Sequence, residues 1–155
     1  MTPLRPARTS AFEDFYGFEY AGLVRAATLI VGSRAVAEDL VQDAFVRVHA
    51  KWDGIDNPPA YARRAVVNAC RSHLRRRVLE RRHAASVVPH VGDLGARELL
   101  DAVATLPVRQ RSAIVLRFYG GLSERETAEA MGCPTGTVGS LVHRALATLR
   151  TTIEP

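Results

Sequence analysis

The residues best suited to bind another molecule form a run of arginines in the middle of the sequence. Eight arginines and a single acid, Glu80, lie between residues 63 and 82. At about 100° per residue on a helix, four of them share one side: Arg64, Arg71, Arg75 and Arg82. Because like charges this close repel one another, a polyanion is their natural counter-ion, and phosphate contacts would make binding strongly salt-dependent. The alternative is a solvated helix end that binds nothing.

A second candidate for contact with nucleic acid lies between Ser123 and Leu149, where the spacing is that of a helix-turn-helix. Ser123 and Glu126 form the pattern of a capping box, which starts one helix, and the break at 132–134 ends it and starts another. The positions that pack the two helices together carry small or apolar residues: Ala128, Gly132, Val138 and Leu141. The alternative is a helical hairpin with a solvated polar face, which explains the caps but not the combined spacing.

The second helix of this motif separates its residues into a buried stripe and a polar face. The polar face follows steps of three and four residues through Thr137, Ser140 and Arg144. It is flanked by Thr135, Gly136 and His143. A helix of this kind places the residues of its N-terminal half against base edges in the major groove of DNA. Its hydroxyl and guanidinium groups also reach phosphates.

A helix predicted over residues 34–51 has the opposite charge. Its apolar residues fall on one face, and its acidic and amide side chains fall on the other: Glu38, Asp39, Gln42 and Asp43. Because an acidic face cannot bind DNA, any macromolecular partner must offer a basic protein surface. The alternative is a face that is simply solvated.

Apolar residues that recur at three- and four-residue steps predict helices through most of the chain. They span residues 12–31, 34–51 after Ser33 as N-cap, 60–82 with Pro59 in the first turn, 96–105, 107–119, 123–131 and 135–152. No segment alternates as a strand would, so the predicted fold is all-α. The order of the elements indicates a loose N-terminus over 1–10, a helical domain over 11–82, a linker over 83–95 and a second helical domain over 96–153.

Composition narrows the classes of function. The net charge of +5, from 21 basic and 16 acidic residues among 155, suits a nucleic-acid partner. Cys70 and Cys133 lie far apart and neither stands at metal-ligand spacing, so we expect no disulfide, no metal and no cofactor. The sequence has no run of signal-peptide type and no apolar stretch of about 18 residues. That pattern predicts a cytosolic protein without membrane insertion.

The acidic helix, the arginine run and the helix-turn-helix, in this order, resemble the extracytoplasmic-function sigma factors, the sigma class with only regions 2 and 4. The resemblance covers about Phe12 to Ile153. It rests on three motifs: AEDLVQDAFVRVHAKW (37–52), PPAYARRAVVNACRSHLRRR (58–77) and LPVRQRSAIVLRFYGGLSERETAEAMGCPTGTVGSLVHRAL (106–146). It implies a region 2 bundle and a region 4 helix-turn-helix joined by a flexible linker. It also implies a factor that directs core RNA polymerase to promoters and assists melting of the −10 element.

The resemblance further implies roles for individual residues. One face would dock on the clamp helices of the polymerase β′ subunit: Asp39, Gln42, Asp43 and Phe45. The loop at 53–59 and the helix after it would capture a flipped −10 base and hold the melted strand: Asp56, Asn57, Tyr61, Arg63, Arg64, Asn68, Arg71 and Arg75. The second domain would dock on the β flap and read the duplex −35 element: Arg109, Arg111, Thr135, Thr137, Ser140, His143 and Arg144. An anti-sigma factor is a further candidate partner.

Three positions depart from the family pattern. Gly139 and Leu141 stand where members often carry basic residues, and Ser72 stands where many carry Asp. The Ser72 variant is similar to a short, arginine-rich actinobacterial subgroup. Gly139 also weakens its helix by about 1 kcal/mol relative to Ala. The −35 contact is therefore expected either to be weaker than in other members or to rely more on His143, Arg144 and the segment 109–111.

Two other classes of function fit parts of the sequence. A stand-alone regulator would share the helix-turn-helix, but it would normally add a ligand pocket or receiver domain, and the first half resembles neither. A small helical nuclease would need clustered carboxylates for a metal, or a nucleophile with a base. Glu38, Asp39 and Asp43 are the only candidates and lack a nearby His, so enzymatic activity is not expected.

Overall fold

A computed structural model of the protein describes residues 6–81 and 94–153. Within these ranges the backbone is helical between short turns and no residue belongs to a strand, which confirms the all-α prediction. The helices, in chain order, are α1 (Pro6–Val31), α2 (Arg34–Ala50), a 3₁₀ turn (Trp52–Gly54), α3 (Pro58–Arg81), α4 (Leu94–Thr105), α5 (Val108–Ile114), a π-helical turn (Val115–Tyr119), α6 (Glu124–Met131) and α7 (Thr135–Ile153).

The first unit is a bundle of α1, α2 and α3. Each helix contributes an apolar stripe at helical spacing, and Val41 and Cys70, both 0% exposed, mark the centre of the bundle. Aromatic rings close one end, where the Phe45 ring centroid lies 5.5 Å from that of Phe15 and 4.9 Å from that of Tyr16. Because burying one such side chain stabilises a fold by about 1.5–3 kcal/mol, this aromatic cluster anchors α1 on α2.

Side-chain caps determine where α2 and α3 begin. Ser33 Oγ accepts a hydrogen bond from the Val36 N–H at 3.3 Å, which confirms the predicted N-cap. Asn57 Oδ1 accepts one from the Ala60 N–H at 3.2 Å, and α3 accordingly starts at Pro58, two residues before the predicted start. A cap of this kind contributes about 1 kcal/mol, so Asn57 fixes the junction between the loop and the arginine-rich helix.

Two predicted boundaries are wrong. Residues 6–10, expected to be loose, form the beginning of α1, because proline is tolerated in the first turn of a helix, where its missing N–H would have no partner. Leu94 and Gly95, expected in the linker, begin α4. The rest of the predicted linker, residues 83–93, lies outside the described residues, as does Arg82 at the end of the arginine run.

The second unit contains α4 to α7; Val138 is 0% exposed, and Leu106, 1% exposed, belongs to a core cluster shared with the first unit. The predicted capping box starts α6: the Glu126 N–H donates to Ser123 Oγ at 3.0 Å, and the Ser123 N–H donates to Glu126 Oε1 at 3.1 Å. Gly132 ends α6 with a φ of +65°, a left-handed conformation that glycine adopts without strain. The predicted helix-turn-helix is therefore formed by α6 and α7.

The helix predicted over residues 107–119 changes its winding partway along. After α5 the chain continues as a π-helical turn, in which the Gly120 N–H donates to the Val115 carbonyl at 2.9 Å. A Cβ atom on Gly120 would lie 2.9 Å from the Leu116 carbonyl oxygen, so a side chain there would clash with the backbone. The wider turn leaves Phe118 64% exposed.

The two units pack directly against each other. α3 lies against α1, α2 and α6, while α1 also packs against α4 and α5. Val67 of α3 is 2% exposed and belongs to an apolar cluster whose other buried members come from the second unit: Ala113, Leu116, Leu122, Ala130, Met131 and Leu141. The described parts of the chain therefore form one packed body.

Candidate nucleic-acid interface

Four residues of α3 form a polar stripe along one side of the helix. They follow steps of four, three and four residues, which places them on one face: Arg64, Asn68, Arg71 and Arg75. We call this set the basic stripe. Arg64, Asn68 and Arg75 are exposed and Arg71 is half-buried. The structure thus brings together four of the residues predicted to hold the melted strand.

Two arginines of α3 already contact the second unit. Arg63 lies beside the basic stripe and is 18% exposed, with Nη2 3.4 Å from Glu126 Oε2. Arg71 Nη1 donates a hydrogen bond to the Met131 carbonyl at 3.4 Å. The sequence analysis did not predict these contacts with α6. It assigned Glu126 to the capping box, and that role gives no sign of a second partner.

A cavity of about 600 Å³ opens where the 3₁₀ turn and the following loop meet the start of α3. Its lining includes the predicted base-capturing residues and one residue of α6: Trp52, Asp53, Asp56, Asn57, Tyr61, Arg64 and Glu129. Trp52 is held by Phe12 and Phe15, whose ring centroids lie 5.4 and 5.3 Å from its own. Aromatic faces beside polar acceptors and a guanidinium are the groups that hold an unpaired base.

The acidic face predicted on α2 is present: Asp39, Gln42 and Asp43 are exposed, and Glu38 is half-buried and accepts a hydrogen bond from Arg34 Nε at 3.0 Å. Gln42 Nε2 donates to the Tyr16 and Tyr20 hydroxyl oxygens at 3.1 and 3.3 Å, which holds the amide in place. Val46, one helical turn further along the same side, is 67% exposed. The sequence prediction assigned Val46 to neither face of the helix.

Phe45 does not belong to this surface, and its predicted contact with the polymerase is corrected by the structure. It is 2% exposed, and its ring lies edge-on to those of Phe12 and Tyr16. The physical reason is helical spacing: residue 45 follows Val41 and precedes Val48 on the buried stripe of α2. Phe45 therefore supports the acidic face from beneath.

The helix α7 presents the polar residues predicted to read DNA. Thr137 is half-buried and four others are exposed: Thr135, Ser140, His143 and Arg144. A shallow depression lies among Gly136, Gly139 and the last three of these. The atom nearest to a Cβ built on Gly139 is Glu124 Oε1, at 3.9 Å, an ordinary van der Waals distance. Packing therefore does not require glycine at this position, and the missing side chain leaves the helix surface open.

Arg111 has a structural role, which corrects its predicted place among the residues that contact the −35 element. Its Nη1 donates to the Ile30 carbonyl at 2.6 Å, and its Nη2 donates to the Ala104 and Leu106 carbonyls, both at 2.9 Å. These carbonyls lie at or just after the ends of α1 and α4, where backbone acceptors have no partner within the helix. Arg111 therefore joins the two units, while Arg109 is exposed.

Two pKa shifts bear on the chemistry of the surface. Burial raises the pKa of the Cys70 thiol to about 12, so this group stays protonated at neutral pH and cannot act as a nucleophile. Hydrogen bonds from the backbone and side chain of Ser123 lower the pKa of Glu126, with a smaller contribution from Arg63. Glu126 is therefore ionised where it faces α3.

Residues 6–81 and 94–153 contain no group of three or more His, Cys, Asp and Glu side chains placed to hold a metal ion. None of the helices described is both long enough and apolar enough to cross a membrane.

The chain matches two protein families in succession. Residues 19–79 match the family described as Sigma-70 region 2, and residues 96–149 match the family described as Sigma-70, region 4. The first match covers most of α1 to α3 and the second covers α4 to α7. The boundary between the families thus coincides with the boundary between the two units.

Relatives align over nearly the whole chain. The RNA polymerase sigma-E factor of Streptomyces avermitilis is 38% identical over 152 residues, which cover 92% of this chain and 85% of the relative. The ECF RNA polymerase sigma factor SigM of Mycobacterium tuberculosis is 32% identical over 149 residues, covering 90% and 75%.

Among solved structures, the sigma factor RpoE in complex with the anti-sigma factor NepR from Bartonella quintana is 28% identical. It superposes with a TM-score of 0.80 over 93% of this chain and 97% of that one. CnrH in complex with the cytosolic domain of CnrY is 23% identical and superposes with a TM-score of 0.73 over 94% and 89%. This second likeness supports the fold alone.

Proposed function

This chain belongs to the extracytoplasmic-function RNA polymerase sigma factors, and from that premise we propose that α3 binds the −10 element as single-stranded DNA while α7 reads the −35 element as duplex. Factors of this family act with RNA polymerase in promoter-specific initiation of transcription. They are not enzymes, because the chemistry of RNA synthesis belongs to the polymerase. The finer proposal concerns which residues hold the DNA and how melting is assisted.

One observation supports the proposal that α3 binds the −10 element: the cavity and the basic stripe meet at Arg64. Arg64 lines the cavity and also begins the stripe, so a base in the cavity would have its backbone on the arginines. Flipping a base out of a duplex costs a few kcal/mol. Stacking on an aromatic side chain contributes about 1–3 kcal/mol per base, and each phosphate contact contributes further. The arrangement therefore stabilises a strand that has already opened.

Melting also needs the polymerase, because one cavity and four stripe residues cannot offset the opening of several base pairs. We propose that the acidic face of α2 binds the polymerase by docking on the clamp helices of the β′ subunit. It offers two exposed carboxylates, a Gln42 amide held by two tyrosine hydroxyls and exposed Val46. An apolar side chain surrounded by acidic groups suits a basic protein surface with an apolar centre.

The −35 assignment rests on α7 and its open depression. Thr135, Thr137 and Ser140 offer short hydroxyl side chains, and His143 and Arg144 add basic groups at the rim. Because short side chains let the helix backbone approach base edges closely, this surface suits direct readout in the major groove. The β flap is the proposed polymerase contact of the same unit.

Two further features follow from the same proposal. The chain works in the cytoplasm, where core RNA polymerase and the chromosome are. An anti-sigma factor is a proposed partner, because RpoE, which superposes on both units of this chain, was solved in complex with the anti-sigma factor NepR.

Transcription in vitro with core polymerase tests the −10 assignment directly. Start sites mapped on genomic fragments give the promoters, and permanganate reactivity of thymines then measures melting of the −10 element. Arg64→Ala should reduce that reactivity about tenfold, since a hydrogen bond to a charged group contributes about 1.5–3 kcal/mol. Arg76→Ala is the matched control, because Arg76 is exposed on a different side of α3.

Equal reactivity for Arg64→Ala and the wild type would contradict the assignment of α3 to the melted strand. A pull-down with core polymerase distinguishes a sigma factor from a stand-alone regulator. A sigma factor associates stably with the core enzyme. A stand-alone regulator binds its duplex site alone and does not associate with the polymerase.

A further inference from the structure

A carboxylate of α6 lies beside the surface of α7 that is proposed to read the −35 element. The atom nearest to a Cβ built on Gly139 is Glu124 Oε1, at 3.9 Å. Glu124 begins α6 directly after the Ser123 cap, and it is exposed. The carboxylate therefore reaches from the first helix of the helix-turn-helix to the edge of the second.

Two glycines leave open the space between this carboxylate and the depression on α7. Gly136 and Gly139 line the depression, as does His143. Steps of three and four residues separate these three positions, so they share one side of the helix. Because glycine has no side chain, neither position 136 nor position 139 places atoms between Glu124 and the depression. The carboxylate is thus available to a group that enters the depression.

Contacts within the protein do not account for the position of Glu124. Its side chain makes no hydrogen bond and no ion pair with any other residue in the ranges 6–81 and 94–153. The start of α6 is already secured by the reciprocal hydrogen bonds of Ser123 and Glu126. The alternative role for Glu124 is a favourable interaction with the helix dipole, as for any acid in a first turn. That role requires no partner on DNA.

The chemistry of a carboxylate restricts what it can contact on DNA. A carboxylate only accepts hydrogen bonds and repels phosphates, so its favourable partner is a donor on a base edge. In the major groove the donors are the exocyclic amines of cytosine and adenine. Adenine presents the acceptor N7 beside its amine, and N7 would oppose a carboxylate oxygen. Cytosine presents its amine without an adjacent acceptor and is therefore the base that a carboxylate selects.

We propose that Glu124 selects a cytosine in the −35 element by accepting a hydrogen bond from its N4 amine across the space beside Gly139. This inference rests on the proposed role of α7 and adds to it a specificity-determining residue from α6. Thymine and guanine present only acceptors where cytosine presents its amine. The carboxylate would repel those acceptors, so it excludes the wrong bases as well as binding the right one.

Selection from a pool of promoters measures this preference with the protein bound to core polymerase. Start-site mapping supplies a promoter, and its −35 element is then randomised. A limiting amount of the complex of core polymerase with this chain binds the pool, and sequencing of the bound DNA gives the relative affinity for each base at each position. The wild type should favour cytosine about tenfold at one position, the discrimination typical of one specific side-chain contact with a base.

Two variants separate a base contact from an effect of charge. Glu124→Gln introduces an amide, which donates and accepts and so complements N7 and N6 of adenine; the preferred base should change from cytosine to adenine. Glu124→Asp keeps the charge but is one methylene shorter, so the preference for cytosine should be largely lost. Glu98→Gln is the control, because it removes the same charge from an exposed position on α4, and it should keep the wild-type preferences. Far-UV circular dichroism of each variant checks that the helices remain formed.

Base preferences that stay the same in Glu124→Gln would overturn the role of Glu124. A uniform rise in affinity for every sequence in that variant would also overturn it, because the carboxylate would then only repel phosphates. In both cases, −35 preferences that depend on Arg144 would leave the proposed function of α7 intact. If the wild type shows no base preference at any −35 position, α7 does not read the element, and the proposed function fails together with this inference.

Discussion

The two helices proposed to meet promoter DNA differ in charge, in exposure and in what surrounds them. α3 carries seven arginines and one acid, whereas α7 carries two arginines and no acid. Two of the α3 arginines already contact the second unit, but the polar face of α7 is mostly exposed. A densely charged helix attracts any polyanion, while a helix with few charges depends more on contacts with base edges.

This difference assigns affinity and sequence readout to different helices. Phosphate contacts by arginines position a protein on nucleic acid but carry no sequence information, whereas short side chains against base edges do. α3 combines phosphate contacts with a cavity for one base, and α7 combines hydroxyl groups with an open helix surface. We therefore expect changes in α3 to alter binding at every promoter and changes in α7 to alter the choice among promoters.

The largest effect is expected from removing two charges of the basic stripe. Arg64→Ala with Arg75→Ala should weaken the open promoter complex about 100-fold, since each hydrogen bond to a charged group contributes about 1.5–3 kcal/mol. The slope of log affinity against log salt should also fall by about 1.4, the value for two contacts to a single strand. Filter binding over a range of salt concentrations measures both quantities.

The control for this pair removes the same charge elsewhere. Arg25→Ala with Arg76→Ala takes two exposed arginines from α1 and from another side of α3. If the control pair loses as much DNA affinity as the test pair, net charge and not the basic stripe sets the affinity. α3 and α7 would then differ only in the number of charged residues they carry.

A somewhat smaller effect is expected from changes in the acidic face of α2. Loss of polymerase binding should impair the functions of α3 and α7 equally. Asp39→Ala with Gln42→Ala should weaken association with core polymerase about 30-fold and leave the fold intact, because both side chains are exposed. Every promoter should lose activity equally, whatever its −35 element. Glu13→Ala with Asp14→Ala on α1 is the matched control, and polymerase affinity of the wild-type value in the test pair would count against the docking surface.

The positions of the main helices could be predicted from the sequence because they depend on local signals. Apolar spacing predicts α2, α3 and α7 to within two residues at their N-termini, and Ser33 and the capping box at Ser123 mark helix starts through contacts only three residues apart. The basic stripe follows from the same spacing. These features need no knowledge of what packs against them.

What the sequence did not reveal depends on residues far apart in the chain. The family resemblance implies a place for Arg111 at the −35 element, but the carbonyl of Ile30, 81 residues away, accepts one of its hydrogen bonds. The pairing of Arg63 with Glu126 spans 63 residues, and nothing local in either segment indicates it. Phe45 is different, because helical spacing alone places it on the buried stripe with Val41 and Val48, and only the family resemblance implies a contact with the polymerase.

Within the second unit, Arg144 tests whether α7 reads sequence. Arg144→Ala should reduce transcription about tenfold from promoters that depend on a strong −35 element, the loss expected for one base-edge or phosphate contact. Promoters that depend on the −10 element should change little, and polymerase binding should be unchanged. Arg150→Ala, exposed near the other end of the same helix, is the control. Equal losses at all promoters would show that Arg144 reads no bases.

The smallest effect is an increase in transcription when Gly139 is replaced. This change tests most directly the difference in charge between α3 and α7. Gly139→Arg gives α7 an additional cation at a position where the nearest atom to a new Cβ lies at 3.9 Å, so the new Cβ atom fits without displacing its neighbours. Transcription from −35-dependent promoters should rise about fivefold and become more sensitive to salt.

Gly139→Ala separates the two causes of such a gain, because it adds the helix propensity of about 1 kcal/mol without the charge. If Ala reproduces the full gain with no change in salt dependence, the weakness of α7 lies in its helix stability and not in its charge. If only Arg raises the salt dependence, the low charge of α7 limits its affinity. The arginine-rich α3 is then the helix that compensates for it.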